Sequence, residues 1–404
     1  MPSPLSQNMH FQKCLTNAWF NKKLCKFNIH YPVKHKSSKI GDIYRTAFKL
    51  TKDQFVHNTL GFNQYVLVNL KRLHHHCPKK YPPWKILFYG TDEFSLQSLK
   101  VLNENRLKKH VTDQAVEQLE VVCSQKNTPV HQYATKNNLV VHWWPFAVPP
   151  GVFDVGVVVS FGHLIPQQAI QSCHYGMVNV HASLLPRWRG AAPIIHTVLN
   201  GDTETGVTIM QLSPKCFDIG RILLQQKIEI PHKATSKELY ALLAPLGAQL
   251  LIKCLTRLPY YLDNSVPQPK SGVTYAPKVH PSIGIVLWEK SCCEHVDYQY
   301  RALNGITYLF TYWQGQKVKL LDKVDQSEIV DAKLHILVPH EVTPGTCYFH
   351  KKRRIMCIKC KDGWVGFRTF FIYGRKKMSA DDFYNGFLSK VSCEKWVVKS
   401  EEPT

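Results

Sequence analysis

Residues 153–160 read FDVGVVVS, a run that is apolar almost without a break. A strand with one face in water alternates apolar with polar. A strand that does not alternate has both faces covered, which is the condition of a parallel sheet flanked by helices. That run sets the architecture expected for its surroundings, and the neighbouring segments agree. Ile86–Tyr89 is a short apolar run ended by Gly90 and Thr91. Asp92 then stands where a helix through Leu96 to Leu102 needs a cap. Residues 119–123, 139–143, 206–212 and 222–230 read as further strands. Helices are expected over 130–137, from about Pro166, from Pro193, and across 236–256 with Ser236 and Glu238 at the start. Residues 103–118 are polar and read as exposed. A single glycine follows the first strand in place of G-x-G-x-x-G, so no dinucleotide site is read there.

Residues 176–193 read GMVNVHASLLPRWRGAAP. The first six alternate like a strand, with Met177, Asn179 and His181 on one face and Val178 and Val180 on the other. Asn179 and His181 lie near the carboxyl end of that strand. Open α/β sheets bind their ligands outside those ends. An amide donor beside an imidazole suits a carbonyl oxygen that must carry negative charge. A strand-end pair that only caps loop backbone is the plainer reading of the spacing alone. Further on, Asp218 precedes Gly220 in FDIG, which by itself describes a turn.

The second half changes character. Residues 257–283, rich in Pro, Gly and polar residues, read as a linker. Gly284–Trp288 reads as a strand and Cys292–Leu303 as an amphipathic helix. Residues 308–373 read as short strands with turns at Gly315, Pro344-Gly345 and Asp362-Gly363. Ser379 and Asp382 spell a capping box before a last helix. Short strands with one helix suggest a small barrel of OB type. Cys357 and Cys360 form a lone CxxC with no partner pair, and no metal site is expected.

The 404 residues carry a formal net charge of +22, which argues for a polyanionic partner. Thirteen cysteines, an odd number without a framework, suit a reducing compartment. No membrane-spanning helix is expected. Residues 1–83 hold many lysines, and their only acids are Asp42 and Asp53, which is the mark of a mitochondrial targeting segment. Within them, 65–70 reads as a short helix and His74–Cys77 as a solvated polar patch.

The run NVHASLLPRWRGAAPI resembles the signature of the folate-dependent formyltransferases. Its PRWRGAAP part resembles the branch that acts on methionyl-tRNA. GDTETGVTIMQL, FDIGRIL, GVTYAPK, KDGWVGFR and DFYNGFL extend the resemblance over roughly 84–388, the last two being most similar to mitochondrial members. The resemblance implies a doubly wound, mostly parallel α/β domain of formyltransferase type over 84–256. A linker (257–283) leads to an OB-like barrel that lies along the tRNA (284–392), followed by a tail (393–404). It implies 10-formyl-tetrahydrofolate as formyl donor, methionyl-tRNA as acceptor, a monomer with no membrane partner, and the mitochondrial matrix as location.

Residue by residue, the resemblance assigns catalysis to Asn179, His181 and Asp218. Phe161, Gly162, His163, Leu164 and Ile165 would wrap the folate, largely through backbone groups, with Ser183, Leu184, Leu185 and Pro186 beside it. Arg187, Trp188 and Arg189 would grip phosphate and stack on an unpaired base. Lys126, the one cation of a shortened loop after the second strand, and Lys352 and Arg353 in the barrel complete the tRNA set. Arg221 stands where many members have a second acid. The implied chemistry is attack by the free amine on the formyl carbon. Asn179 and a protonated His181 donate to the oxyanion, each such donor contributing roughly 3–4 kcal/mol, and Asp218 favours the charged imidazole. Two alternatives are a folate-dependent transferase acting on a small amine and a catalytically dead RNA-binding relative.

Overall fold

In the computed structural model, the described residues are 79–108, 114–338 and 341–400. Residues 1–78 of the basic N-terminal segment lie outside them, and with them the helix expected at 65–70 and the patch His74–Cys77. Chain order is β1 (Trp84–Gly90), α1 (Glu93–Leu107), β2 (Val116–Cys123), α2 (Pro129–Lys136), β3 (Val140–Trp143) and β4 (Val155–Val159). Then come α3 (Gln167–Ser172), β5 (Met177–His181), α4 (Pro193–Leu199), β6 (Glu204–Gln211), β7 (Ile222–Glu229), α5 (Ser236–Thr256) and α6 (Leu258–Asp263). These strands make one sheet in the order β3-β2-β1-β4-β5-β6-β7. Pairing is parallel from β3 through β5, and antiparallel from β5 to β6 and from β6 to β7. The non-alternating run behaves as its composition requires, since all five residues of β4 are buried.

Local chemistry sets the helix starts. Asp92 accepts from Ser95 N at the start of α1, and Thr128 accepts from His131 N at the start of α2. Pro193 occupies the first turn of α4, where its missing N–H costs nothing. The cap of α5 is Thr235, in a reciprocal box with Glu238, one residue before the expected start. Of the stretch 103–118, the described residues 103–108 and 114–118 are not uniformly exposed. α1 runs on to Leu107 and buries Asn103, and Ala115 and Val116 are fully buried. Among the described residues, α5 is the one helix long and apolar enough to cross a bilayer by composition, and half of it is buried. Its apolar side, including Leu239, Leu243 and Leu251, packs into the core cluster shared with β1 and β6.

The second sheet is antiparallel. Gly284–Trp288 is not a strand of it. Pro281–Gly284 forms a single 3-10 turn, and only Ile285 bridges, to Phe310. Helix α7 (Cys293–Leu303) follows, then β8 (Leu309–Trp313) and β9 (Gln316–Lys323). Two short helices, α8 (Gln326–Asp331) and α9 (Leu334–Leu337), interrupt the region expected as strands only. β10 (Cys347–His350), β11 (Ile355–Lys359), β12 (Trp364–Ile372), β13 (Met378–Ser379) and α10 (Ala380–Gly386) complete the order. The strand order is β10-β11-β12-β9-β8, with β13 on β12.

Residues 396–399, expected in a tail beyond the barrel, join its two edges. Cys347 N and Val398 N bond to Trp396 O and Gly345 O at 2.7 and 2.9 Å. Tyr312 and Lys399 exchange N–H···O bonds at 2.9 and 2.7 Å. Closing the ring in this way removes two unpaired edges. Helix α7 packs against α4 and α5, where the Arg301 guanidinium reaches Ala234 O, so the barrel is fastened to the larger sheet domain.

Candidate active site

Period-2 geometry in β5 and a left-handed turn after β6 bring three side chains together. Asn179 Nδ2 donates to Asp218 Oδ1 at 3.2 Å. His181 Nδ1 stands 3.6 Å from the same oxygen. The other carboxylate oxygen, Oδ2, accepts from Gly190 N at 2.9 Å. His181 and Asp218 are 6% and 8% exposed, so this charge sits behind little water.

His181 Nε2 lies 2.8 Å from Trp188 O. A carbonyl can only accept, so Nε2 carries a proton. The atom free to change protonation is therefore Nδ1, which faces Asp218. Protonated there, the ring makes an ion pair with the carboxylate. One Asn179 amide hydrogen is spent on Asp218, and the other remains for a ligand oxygen. The cluster can hold an oxyanion and move a proton.

The surrounding loop is held by residues that sequence reasoning did not single out. Asp218 has φ 55° and Trp188 φ 60°, conformations that cost energy in a non-glycine residue unless neighbours enforce them. For Asp218 the enforcing neighbour is Gln268. Its amide donates to Asp218 O and Gly220 O at 2.8 and 2.9 Å, and its oxygen accepts from Arg189 Nε at 2.9 Å. For Trp188 it is Thr274, whose hydroxyl accepts from Trp188 N at 2.9 Å and whose carbonyl accepts from Arg189 N at 2.9 Å. Residues 272–278, part of the segment read as linker, thus clamp the loop over the site. Arg221 turns away from the cluster, and its Nε bonds Ser265 Oγ at 2.9 Å.

The remaining candidates divide. Ser183 is fully buried and donates to Arg187 O at 2.6 Å. Its carbonyl accepts from Thr208 Oγ1, which also accepts from Leu185 N. Leu185 packs on Met210 and Ile222, and its bond to Pro186 is cis. Side chains in this stretch are occupied internally, while Leu184 and Pro186 stay half-buried. Phe161 and Ile165 point into the core, and Gly162, His163 and Leu164 are exposed. His163 stacks on Trp144 at 5.5 Å, and Gly162, at φ 77°, has open space where a Cβ would be.

Arg187 and Trp188 are not the free pair that an exposed loop implied. Arg187 Nε and Trp188 Nε1 both donate to Asp202 at 2.8 Å, and the guanidinium lies 4.5 Å over the indole. Asp202 was invisible to local reading because α4 returns it from fourteen residues away. Burial alone would raise the Asp202 pKa, but hydrogen bonds from Arg187, Trp188 and Asn200 outweigh it and hold the carboxyl below its ordinary value. Among the described residues, the Arg189 guanidinium meets the neutral Gln268 amide oxygen and no carboxylate. Lys126 and Lys352 are exposed, and Arg353 reaches Asp331 O at 3.1 Å. Among the described residues, no group of His, Cys, Asp and Glu is placed to hold a metal.

Comparison with known proteins adds the chemistry's class. Residues 146–255 match the family model described as formyl transferase, and 278–388 match the formyl transferase C-terminal domain. Fold, site and models together define a formyl-transferring enzyme. The mitochondrial methionyl-tRNA formyltransferase of Mus musculus is 48% identical over 313 residues, covering 76% of this chain and 79% of that one. Its Homo sapiens counterpart is 45% identical, with 76% and 78% covered. The methionyl-tRNA formyltransferase of Acetivibrio thermocellus is 32% identical, with 75% and 96% covered. The chain therefore belongs to the methionyl-tRNA formyltransferase family.

Proposed function

We propose that this enzyme transfers the formyl group of 10-formyl-tetrahydrofolate to the amine of methionyl-tRNA, in the mitochondrial matrix, for initiation of translation. The observation that carries the reading is the convergence of Asn179, His181 and Asp218 outside the carboxyl end of β5. The free amine adds to the formyl carbon, and the formyl oxygen takes the negative charge. The second Asn179 amide hydrogen and the His181 Nδ1–H donate to that oxygen. Asp218 accepts the proton released by the amine. The bond from the carbon to N10 then breaks, and the proton goes to N10, leaving tetrahydrofolate and formylmethionyl-tRNA. No covalent enzyme intermediate is needed.

The folate is placed along 161–165, where Gly162 lets the backbone approach closely, and beside Leu184 and Pro186. Arg189 is the cation at the site available to a phosphate, with Lys126 on the neighbouring loop. Arg187 and Trp188 support it by shaping the loop. The enzyme acts as a monomer without a membrane partner. The test is a formylation assay with charged initiator tRNA and the folate donor. Formylmethionyl-tRNA is the expected product. Failure to form it, with formylation of a small amine instead, would overturn the reading.

A further inference from the structure

We propose that the outer face of β8, β9 and β12 is where the barrel holds RNA, by stacking unpaired bases on aromatic rings set among lysines. This rests on tRNA being the substrate and narrows it to one face and one mode of contact. Alternation in β9 buries Val318 and Leu320 and turns Lys317 and Lys319 outward. The register sets Phe310 of β8 and Phe371 of β12 on either side of Lys319, and Tyr312 beside Lys317.

Lys317 Nζ lies 3.6 Å over the Phe310 ring. Lys319 Nζ lies 4.5 Å over Tyr308 and 5.1 Å over Phe371. Tyr308, Lys319 and Lys377 border a groove of about 500 Å³. Lys317, Tyr373 and Arg375 border a second of about 560 Å³. Tyr308 is 51% exposed and Tyr373 88% exposed, so neither ring is there for the core. Rings with cations beside them are what successive bases and phosphates of a single strand require. Duplex contact through phosphates alone would have no use for them. The hairpin between β10 and β11 is basic too, but its rings, Tyr348 and Phe349, are half-buried, and Phe349 is stacked on Tyr384.

The test uses the full chain and fluorescence anisotropy with an end-labelled oligouridylate of about 12 nucleotides and with a tRNA transcript. Tyr308→Ala and Tyr373→Ala should each weaken oligonucleotide binding about tenfold. Tyr373→Phe, which keeps the ring, should bind like the parent. Lys319→Ala should reduce the slope of log affinity against log salt by about 0.7. Parent-like binding by both alanine variants, or a Phe variant as weak as Tyr373→Ala, overturns the proposal. Formylation of methionyl-tRNA by the parent is assayed alongside. An inactive parent that still binds through Tyr308 and Tyr373 keeps this platform and overturns tRNA formylation. An active parent whose alanine variants bind unchanged overturns the platform alone.

Discussion

Gly190 donates its backbone N–H to Asp218 Oδ2 at 2.9 Å, which joins the loop after β5 to the turn after β6. A side chain is excluded at this point. Gly190 has φ 127°, and a Cβ there would lie 2.5 Å from the Ala276 carbonyl oxygen. Gly190→Ala should therefore displace the 274–276 clamp and cost about 1–3 kcal/mol or more. The expected result is a lower melting temperature together with reduced formylation. Normal values for both would show that the loop yields freely.

In the proposed mechanism, Asn179 and His181 each give one donor to the reacting oxygen. Removing either by substitution with alanine should lower turnover by about 10²–10³-fold. Binding of tRNA should stay intact, because neither side chain is on the surface proposed to meet it. Steady-state kinetics and a binding titration check both halves. A near-parental rate for His181→Ala would sink the mechanism.

Gln268 acts through Asp218 and Arg189, which makes it a positioning residue. Gln268→Glu keeps the acceptor for Arg189 but cannot donate to Asp218 O and Gly220 O. Gln268→Met loses both sets of bonds. Both variants should lose about tenfold or more in kcat, on the basis of roughly 1–3 kcal/mol for carbonyls left unsatisfied. If Glu performed like the parent, only the contact to Arg189 would matter.

The Asp202 bonds make a pH prediction. Its carboxyl is held below the ordinary value in the fold, so the unfolded chain binds its proton first as acid is added. The stabilisation is complete above the unfolded pKa, near 4, and is lost as pH falls through the lower folded value. Asp202→Asn should lower the melting temperature at neutral pH and flatten its decline below about pH 4. An unchanged acid slope in thermal melts would show that this carboxyl does not report loop integrity.

Repeating patterns in the chain made parts of this site legible. Two-residue alternation placed Asn179 and His181 on one face at a strand's carboxyl end. The apolar run at 153–160 marked a doubly covered strand. Asp218 was recognisable only through its resemblance to a motif, since Asp before Gly ordinarily describes a turn. Gln268 gave no local signal at all, and Thr274 none beyond its place in the GVTYAPK run that carried the resemblance. They sit in a stretch whose Pro and Gly content reads as linker, and their partners are 48 to 86 residues away. The pairing of Arg187 with Asp202 was hidden for the same reason, because a basic residue in a polar loop carries no mark of the carboxylate it will meet.

By itself, then, the sequence determined most of the segments that become strands and which of their residues share a face, and its resemblance to a known family implied the chemistry at the strand end. The first two properties follow from short-range periodicity and residue type. Tertiary structure alone decided which cations stay available, how Asp218 is held in a left-handed turn, and how residues 396–399 close the barrel. Each of these depends on hydrogen bonds and ion pairs between distant segments, and such partners exist only after the chain has packed.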